Sequence, residues 1–257
     1  MFGIFKASKK NAQTRESGQT DSTSNSSDPA TESLMRAIAE QKKNDPMAGL
    51  KIGAIEINER FLKAMKNEKG VHIESLLTAL AALAGFSCQM AIREEFIKTG
   101  KATEREALTE IKTKDGHIYY FGDNLNKPLA ENKLSVWALV GGELQGLGAK
   151  LPDITDIFSH IANTVGSKEF GRPRVDEKHK ASDTPENYVR DLWPVTLPII
   201  EQFCDRPMEW PILLSLSLQK IINLGKDVIP PETAGTLVME TAISMSKINP
   251  ESVNISK

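Results

Sequence analysis

The sequence predicts a mainly α-helical single domain with one β-hairpin and a disordered N-terminal tail. Three features carry this prediction: a long charge-free run from Ser75 to Ile92, an apolar helical stripe after Asp153, and an Asp-Gly pair between two short β-prone runs. The chain has 257 residues, 40% of them hydrophobic and 26% charged, which is the ordinary composition of a globular domain. It is therefore long enough to bury one substantial core.

The charge-free run is eighteen residues long, and two interpretations fit its length. As a helix it would extend roughly 27 Å, close to the ~30 Å of a bilayer core. Thr78, Gly85 and Gln89 dilute its apolar character, and no aromatic belt or basic cluster flanks it. The composition favours a core helix that is buried on nearly all sides and reaches the surface at Arg93, where charges resume.

Helical patterns account for most of the remaining sequence. Asp28 is an N-cap candidate before Pro29, which begins the first helix, and Ile55, Leu62 and Met65 define the apolar face of the second. After Asp153, apolar residues follow one another at helical spacing until Gly166. These residues are Ile154, Ile157, Phe158, Ile161 and Val165. From Thr184 to Lys247 we expect three helices, the first kinked or interrupted by Pro194 and Pro198.

The Asp115-Gly116 pair predicts a β-hairpin, because Asp-Gly readily forms the two-residue type I′ turn. The strands would run over 109–114 and 117–121. This turn would place Thr113 opposite Ile118 and Ile111 opposite Tyr120, giving one apolar face that docks on helices.

The composition also predicts the limits of the ordered domain. Residues 1–27 are rich in Ser, Thr, Asn, Gln and Gly and are expected to form a disordered tail. The helical domain would cover 28–249, and 250–257 would be a flexible C-terminus. In the opening residues the apolar side chains precede the lysines, the reverse of an export signal, so a cytoplasmic location is expected.

No residue pattern predicts a metal, a cofactor or a catalytic centre. The four histidines do not lie at metal-ligand spacing, and the glycines between 141 and 148 do not match a phosphate-binding loop. Cys88 and Cys204 are expected to be apolar core residues rather than a disulfide. The net charge of −2 provides no general attraction for nucleic acid.

The candidate binding surface is the polar loop from Lys168 to Lys180. Its basic side chains could converge on an acidic group, although Glu169, Asp176 and Glu177 neutralise part of the charge. These side chains are Arg172, Arg174, Lys178, His179 and Lys180. Asp123 and Asn124, after the hairpin, are candidate polar residues at a ligand rim.

The sequence thus favours a soluble interaction protein of the adaptor, regulatory or immunity type, whose partner is another protein. Nucleic-acid binding and stable membrane insertion are not expected. The alternative is an enzyme or a protein that binds small molecules or anions, with a site between the 168–180 loop and the hairpin end at Asp123 and Asn124.

Overall fold

The computed structural model describes residues 29–255, and the predicted tail at 1–27 lies outside the described residues. The chain divides into two compact units, the first ending at Ala48 and the second beginning at Gly49. The described chain is mainly helical, as the sequence predicted.

The described part of the first unit contains helix α1, Pro29–Lys42. Pro29 starts it with a preset φ, and Glu32 lies in the first turn, where the helix dipole favours an anion. Ile38 is buried, whereas Leu34 is exposed. The helix therefore carries a narrower apolar stripe than its sequence suggests.

The second unit is a helical assembly with two small antiparallel strand pairs. Its helices are α2 (Ala48–Ala64, beginning at the unit boundary), α3 (Ile73–Ile92), α4 (Glu104–Ala107), α5 (Asp123–Asn126), α6 (Val136–Gly146), α7 (Ile154–Thr164), α8 (Pro185–Phe203), α9 (Trp210–Gly225) and α10 (Pro231–Met245). Its strands are β1 (Lys66–Asn67), β2 (Gly70–Val71), β3 (Thr109–Lys112) and β4 (Ile118–Phe121). The last described element is a 3-10 helix, Pro250–Val253, within the segment expected to be flexible.

Helix α3 is the centre of the second unit, and every one of its residues is buried. It packs against α8, α9 and α10, which confirms the predicted buried core helix. Taken from Ile73 to Ile97, this helix has the length and composition to cross a membrane, and its most apolar window is entirely enclosed by protein.

The contact between α3 and α10 is a backbone contact. A Cβ atom added to Gly85 would lie only 1.9 Å from the carbonyl oxygen of Ala242. Only glycine allows the two helices to approach so closely.

The C-terminal end of α3 carries a buried polar network. Gln89 donates from Nε2 to the carbonyls of Ser246 (2.9 Å) and Ile248 (3.1 Å), and its Oε1 accepts from Arg93 Nε. Arg93 also binds Glu104 at 2.7 Å and lies over the Tyr120 ring. Arg93 is itself buried, so the expectation that the helix surfaces there is wrong. A π-helical turn, Arg93–Ile97, continues the helix instead.

Three other helices show where the sequence patterns were sufficient and where they were not. Asp153 caps α7 by accepting from the backbone N–H groups of Thr155 and Asp156, which confirms the predicted start. Helix α8 runs without interruption through Pro194 and Pro198. The predicted face of α2 is wrong: Ile55 is 43% exposed, while Ala54, Ile57 and Phe61 are buried.

The predicted hairpin is present, but its register differs by one residue from the prediction. Ile111 pairs with Tyr119 and Lys112 with Ile118. The loop is longer than two residues, since Thr113 N–H donates to the His117 carbonyl at 2.9 Å. Gly116 has a φ of +91° and Asp115 has no positive φ, so a type I′ turn does not form. A one-residue shift exchanges the faces, and Ile111 is exposed.

A shorter strand pair, β1 with β2, was not predicted from the sequence. Asn67 accepts from the Lys69 N–H in an Asx turn, and Gly70 takes a φ of +104°. The strands are only two residues long, too short to produce an alternating pattern.

Among the glycines between 141 and 148, Gly148 has a structural role. Helix α6 ends in a Schellman motif, in which Ala149 N–H bonds to the Leu144 carbonyl and Gly148 N–H to that of Gln145. Gly148 has the required positive φ of +73°. The segment therefore ends a helix, which agrees with its failure to match a phosphate loop.

Lys247 is a buried lysine at the end of α10. Its residue exposure is 1%, and its Nζ lies over the rings of Phe121 (5.1 Å) and Phe158 (5.8 Å). Burial lowers the pKa of this amine to about 8. Its backbone carbonyl accepts from Tyr120 N–H, so the residue connects the hairpin to the core.

We predict that Gly85→Ala destabilises the protein by about 1–3 kcal/mol or more, because the new methyl group collides with the α10 backbone. Gly142→Ala is the matched control. Gly142 lies within α6, and no neighbouring atom would lie within 4 Å of an added Cβ, so alanine should stabilise by about 0.5–1 kcal/mol. Chemical unfolding of both variants measures the difference; equal effects would contradict the close helix contact.

We predict that Lys247→Met stabilises the protein at neutral pH by about 3 kcal/mol, following from a pKa lowered from 10.5 to about 8. Between those values the unfolded chain binds a proton that the folded chain does not, so the stability of the native protein rises with pH. The advantage of methionine should therefore shrink above about pH 8. Unfolding measured from pH 6 to 10.5 tests this, with the exposed Lys114→Met as control. A constant difference across that range would contradict it.

Candidate functional site

The predicted surface loop belongs to a longer segment that is fastened to the core. We call residues 167–184, between α7 and α8, the strap. Phe170 and His179 within it are buried. Polar bonds from the strap reach α3 and α10, so the strap has a defined position over the central helices.

Arg174 fastens the middle of the strap to α10. Its Nε and its backbone N–H both donate to the Glu240 carboxylate, each at 2.6 Å, and its terminal nitrogen binds Asp156 at 2.7 Å. Glu240 is only 1% exposed. Burying a carboxyl group is costly unless it is paired and hydrogen-bonded, and Arg174 supplies both the pairing and the hydrogen bonds.

His179 fastens the second half of the strap to the first turn of α3. Its Nδ1 lies 2.9 Å from the buried Glu74 carboxylate. Next to it, Ser75 Oγ accepts from Ser182 N–H at 2.9 Å and also contacts His72 Nδ1 at 2.7 Å. Glu74 is well placed at the positive end of α3.

Arg174 and His179 thus do converge on acidic groups, but those groups belong to the same protein. Both side chains hold the strap in place. Arg172 is exposed and lines a cavity beneath the strap. The charge of Arg172 also acts on Glu186. Burial raises the pKa of the Glu186 carboxyl, and Arg172 offsets part of that rise.

Asp123 and Asn124 are exposed in the first turn of α5. Asn124 donates to the Ala107 carbonyl at 3.3 Å. Among the described residues, no hydrogen bond or ion pair joins either side chain to the strap, and neither residue lines the cavity beneath it. The joint role of the strap and the hairpin end in binding stays a prediction.

The cavity beneath the strap has a volume of about 210 Å³. Its walls include Thr78 of α3, Leu237 of α10 and the strap residues Arg172 and Lys180. We call it the strap cavity. It is enclosed on one side by the central helices and edged by two cations on the other.

A larger concave surface lies on α9, between α2 and α6, with a volume of about 680 Å³. We call it the α9 groove. It is lined by Lys51, Ile55, Glu143, Leu216, Gln219, Lys220, Asn223 and Leu224. Leu224 is 62% exposed, an unusual position for a large apolar side chain.

Hydrogen bonds fix the helices around the α9 groove. Gln219 Nε2 donates to the Leu139 carbonyl at 2.8 Å, and Asn223 Nδ2 to Glu143 at 2.7 Å, which joins α9 to α6. Asn58 Nδ2 donates to the Ser217 carbonyl, which joins α9 to α2. The groove is therefore bounded by helices in fixed positions.

The groove was missed in the sequence because Ile55 was placed on the buried face of the second helix. Ile55 and Leu224 belong to helices in which most other apolar residues are buried, and a periodic pattern tolerates one exposed residue at its edge. The sequence could have indicated the groove only by distinguishing buried from exposed apolar residues at adjacent positions. Ala54 is buried, for example, whereas Ile55 next to it is exposed.

Within residues 29–255, no group of three or more His, Cys, Asp or Glu side chains is arranged to hold a metal ion. Cys88 is buried, and burial raises the pKa of its thiol, which keeps it protonated.

Comparison of the chain with protein-family models, with curated proteins and with solved structures gives no match. The function therefore has to be argued from the residues themselves.

We predict that Arg174→Ala destabilises the protein by about 2 kcal/mol, because it leaves the Glu240 carboxylate buried without its cation. Arg172→Ala, a change in a neighbouring exposed arginine, should stay within about 0.5 kcal/mol. Adding Glu240→Gln to Arg174→Ala should recover part of the loss, since the neutral amide does not need a cation. Urea unfolding of the four proteins tests this. Equal stability of the two arginine variants would show that the strap is not fastened by Arg174.

Proposed function

We propose that the protein is an interaction protein whose α9 groove receives an amphipathic helix of a partner protein, one that carries acidic residues beside its apolar face. The observation that carries the proposal is the exposure of Ile55 and Leu224 within one concave surface. The proposal keeps the soluble, cytoplasmic setting expected from the sequence.

The apolar side chains of the groove supply a reason for binding. Covering an exposed aliphatic side chain gains roughly 1.5–3 kcal/mol when burial is complete. Ile55 and Leu224 come from different helices, and Leu216 lies half-buried between polar neighbours. A helix laid into a groove contacts such residues with side chains spaced three or four apart.

The charges around the groove favour an acidic partner. Lys51 and Lys220 are exposed at the groove, while the Glu143 carboxylate accepts from Asn223. The protein as a whole has a net charge of −2, so this local positive charge would act mainly at short range. Charge of this kind selects partners more than it adds affinity.

We predict that Leu224→Ser weakens binding of an acidic helical probe at least tenfold, while Val228→Ser leaves it unchanged. The probe is a labelled helical peptide with leucines three and four residues apart and glutamates on both flanks. Val228 is the matched control because it is 67% exposed, just beyond α9, and does not line the groove. Fluorescence anisotropy gives the affinities.

The charge argument is tested with a second peptide in which lysines replace the glutamates. The unmodified protein should prefer the acidic peptide, and Lys220→Glu should reduce or reverse that preference. Equal binding of both peptides, or full binding by Leu224→Ser, would contradict the proposal. The natural partner is then sought among host proteins that the unmodified protein and Val228→Ser both capture and Leu224→Ser loses.

A further inference from the structure

We propose that the strap cavity is a second binding site, separate from the α9 groove, for a small monocarboxylate with a short hydrocarbon chain. The site joins an unpartnered buried hydroxyl, two rim cations and apolar walls in one small volume. Arg172 and Lys180 would hold the carboxylate, and Thr78 would donate a hydrogen bond to it.

Thr78 is the observation that points to a ligand. The residue is 1% exposed, and among the described residues its Oγ1 has no hydrogen-bond partner. Other hydroxyls on these helices are satisfied by a carbonyl of the preceding turn, as Ser87 and Ser215 are. A buried hydroxyl without a partner is unfavourable, and a bound acceptor removes that cost.

Two further buried threonines show why the cavity matters. Thr196 and Thr241 also have an Oγ1 without a partner in the described chain, but neither lines this cavity. Of these three threonines, Thr78 is the one that lines a cavity edged by cations.

The cations at the rim are held less tightly than their neighbours. Arg174 and His179 bind buried carboxyl groups directly, whereas Arg172 is exposed and acts on Glu186 through its charge. Lys180 pairs with Glu177 at 2.5 Å, but both side chains are largely exposed, and such pairs contribute little. Exchanging Glu177 for a ligand carboxylate would therefore cost little.

The charge of the walls selects a monoanion. Asp183 also lines the cavity, where its carboxylate accepts from Thr184 N–H at 2.7 Å and from Asn187 Nδ2 at 2.6 Å. Among the residues that line the cavity, Arg172 and Lys180 against Asp183 leave one net positive charge once the ligand has displaced Glu177 from Lys180. A dianion such as hydrogen phosphate would be repelled by Asp183 beyond what the two cations balance.

The size and the apolar walls define the rest of the ligand. Drug-sized ligands occupy roughly 300–1,000 Å³, so a cavity of about 210 Å³ suits a smaller molecule. Leu237, Val175 and Pro185 supply the apolar part of the lining. A short aliphatic acid, which has one charged end and an apolar chain, fits a cavity lined by both polar and apolar groups.

Butyrate is the probe, titrated into the full chain while the backbone amide signals of residues 171–184 are followed by NMR. Butanol, which has no charge, tests whether binding needs a carboxylate. Inorganic phosphate tests whether the site prefers a monoanion. We expect butyrate to shift these signals in a saturable way, butanol to leave them unchanged, and phosphate to bind more weakly than butyrate. Absence of saturable binding by butyrate, or phosphate binding as tightly, would overturn the proposal.

Three variants locate the site. Arg172→Gln should lose at least about tenfold in butyrate affinity, and Thr78→Val, which keeps the side-chain shape, about fivefold for one lost hydrogen bond. Lys178→Gln, an exposed strap cation outside the cavity, should bind as the unmodified protein does. Thermal unfolding confirms that each variant is folded.

Equal butyrate binding by Arg172→Gln and Lys178→Gln, or unchanged binding by Thr78→Val, would overturn the assignment. The α9 groove peptides bind elsewhere, so failure here leaves that proposal unaffected.

Discussion

The structure of the second unit depends on the complete enclosure of α3. A helix whose residues are all buried has no polar face, so neighbours must cover every side of it. Helices α8, α9 and α10 do so, and Gly85 lets α10 approach to backbone contact. Small side chains along α3 therefore decide how tightly the surrounding helices pack, and these helices in turn form the walls of both proposed sites.

Enclosure also explains why the strap is charged. Glu74 on α3 and Glu240 on α10 are buried carboxyl groups, which need hydrogen-bond partners close by. The strap brings His179 and Arg174 to them. Part of the mixed charge of the strap is therefore used in bonds within the protein. Arg172 and Lys180 are the strap cations that line the cavity beneath it.

The sequence predicted the features that depend on local patterns. The charge-free run, the Asp153 cap and the existence of the hairpin all follow from residues close together in the chain. Other features were not predicted correctly. The hairpin register was wrong because of a local detail, the bond between Thr113 and Asp115 within a loop longer than two residues. The α2 face was wrong because of a contact between distant residues: Asn58 bonds to Ser217 of α9 and is buried, while Ile55 is exposed.

The same division applies to the candidate sites. Arg172 was identified from its residue type, but the partners of Arg174 and His179 lie 66 and 105 residues away along the chain. Thr78 appeared in the sequence only as a residue that diluted an apolar run. Its missing hydrogen bond is a property of the fold, because in another setting the same hydroxyl would bond to its own helix.

The enclosure of α3 has a consequence for synthesis on the ribosome. The helix ends at Ile92, whereas α8 begins at Pro185 and α10 at Pro231, so its covering helices emerge long after it does. At roughly 5–20 residues per second, the delay before α8 begins to emerge is on the order of ten seconds. During that interval the most apolar helix of the chain lacks its cover. The newly made protein is then most exposed to aggregation and most in need of a chaperone.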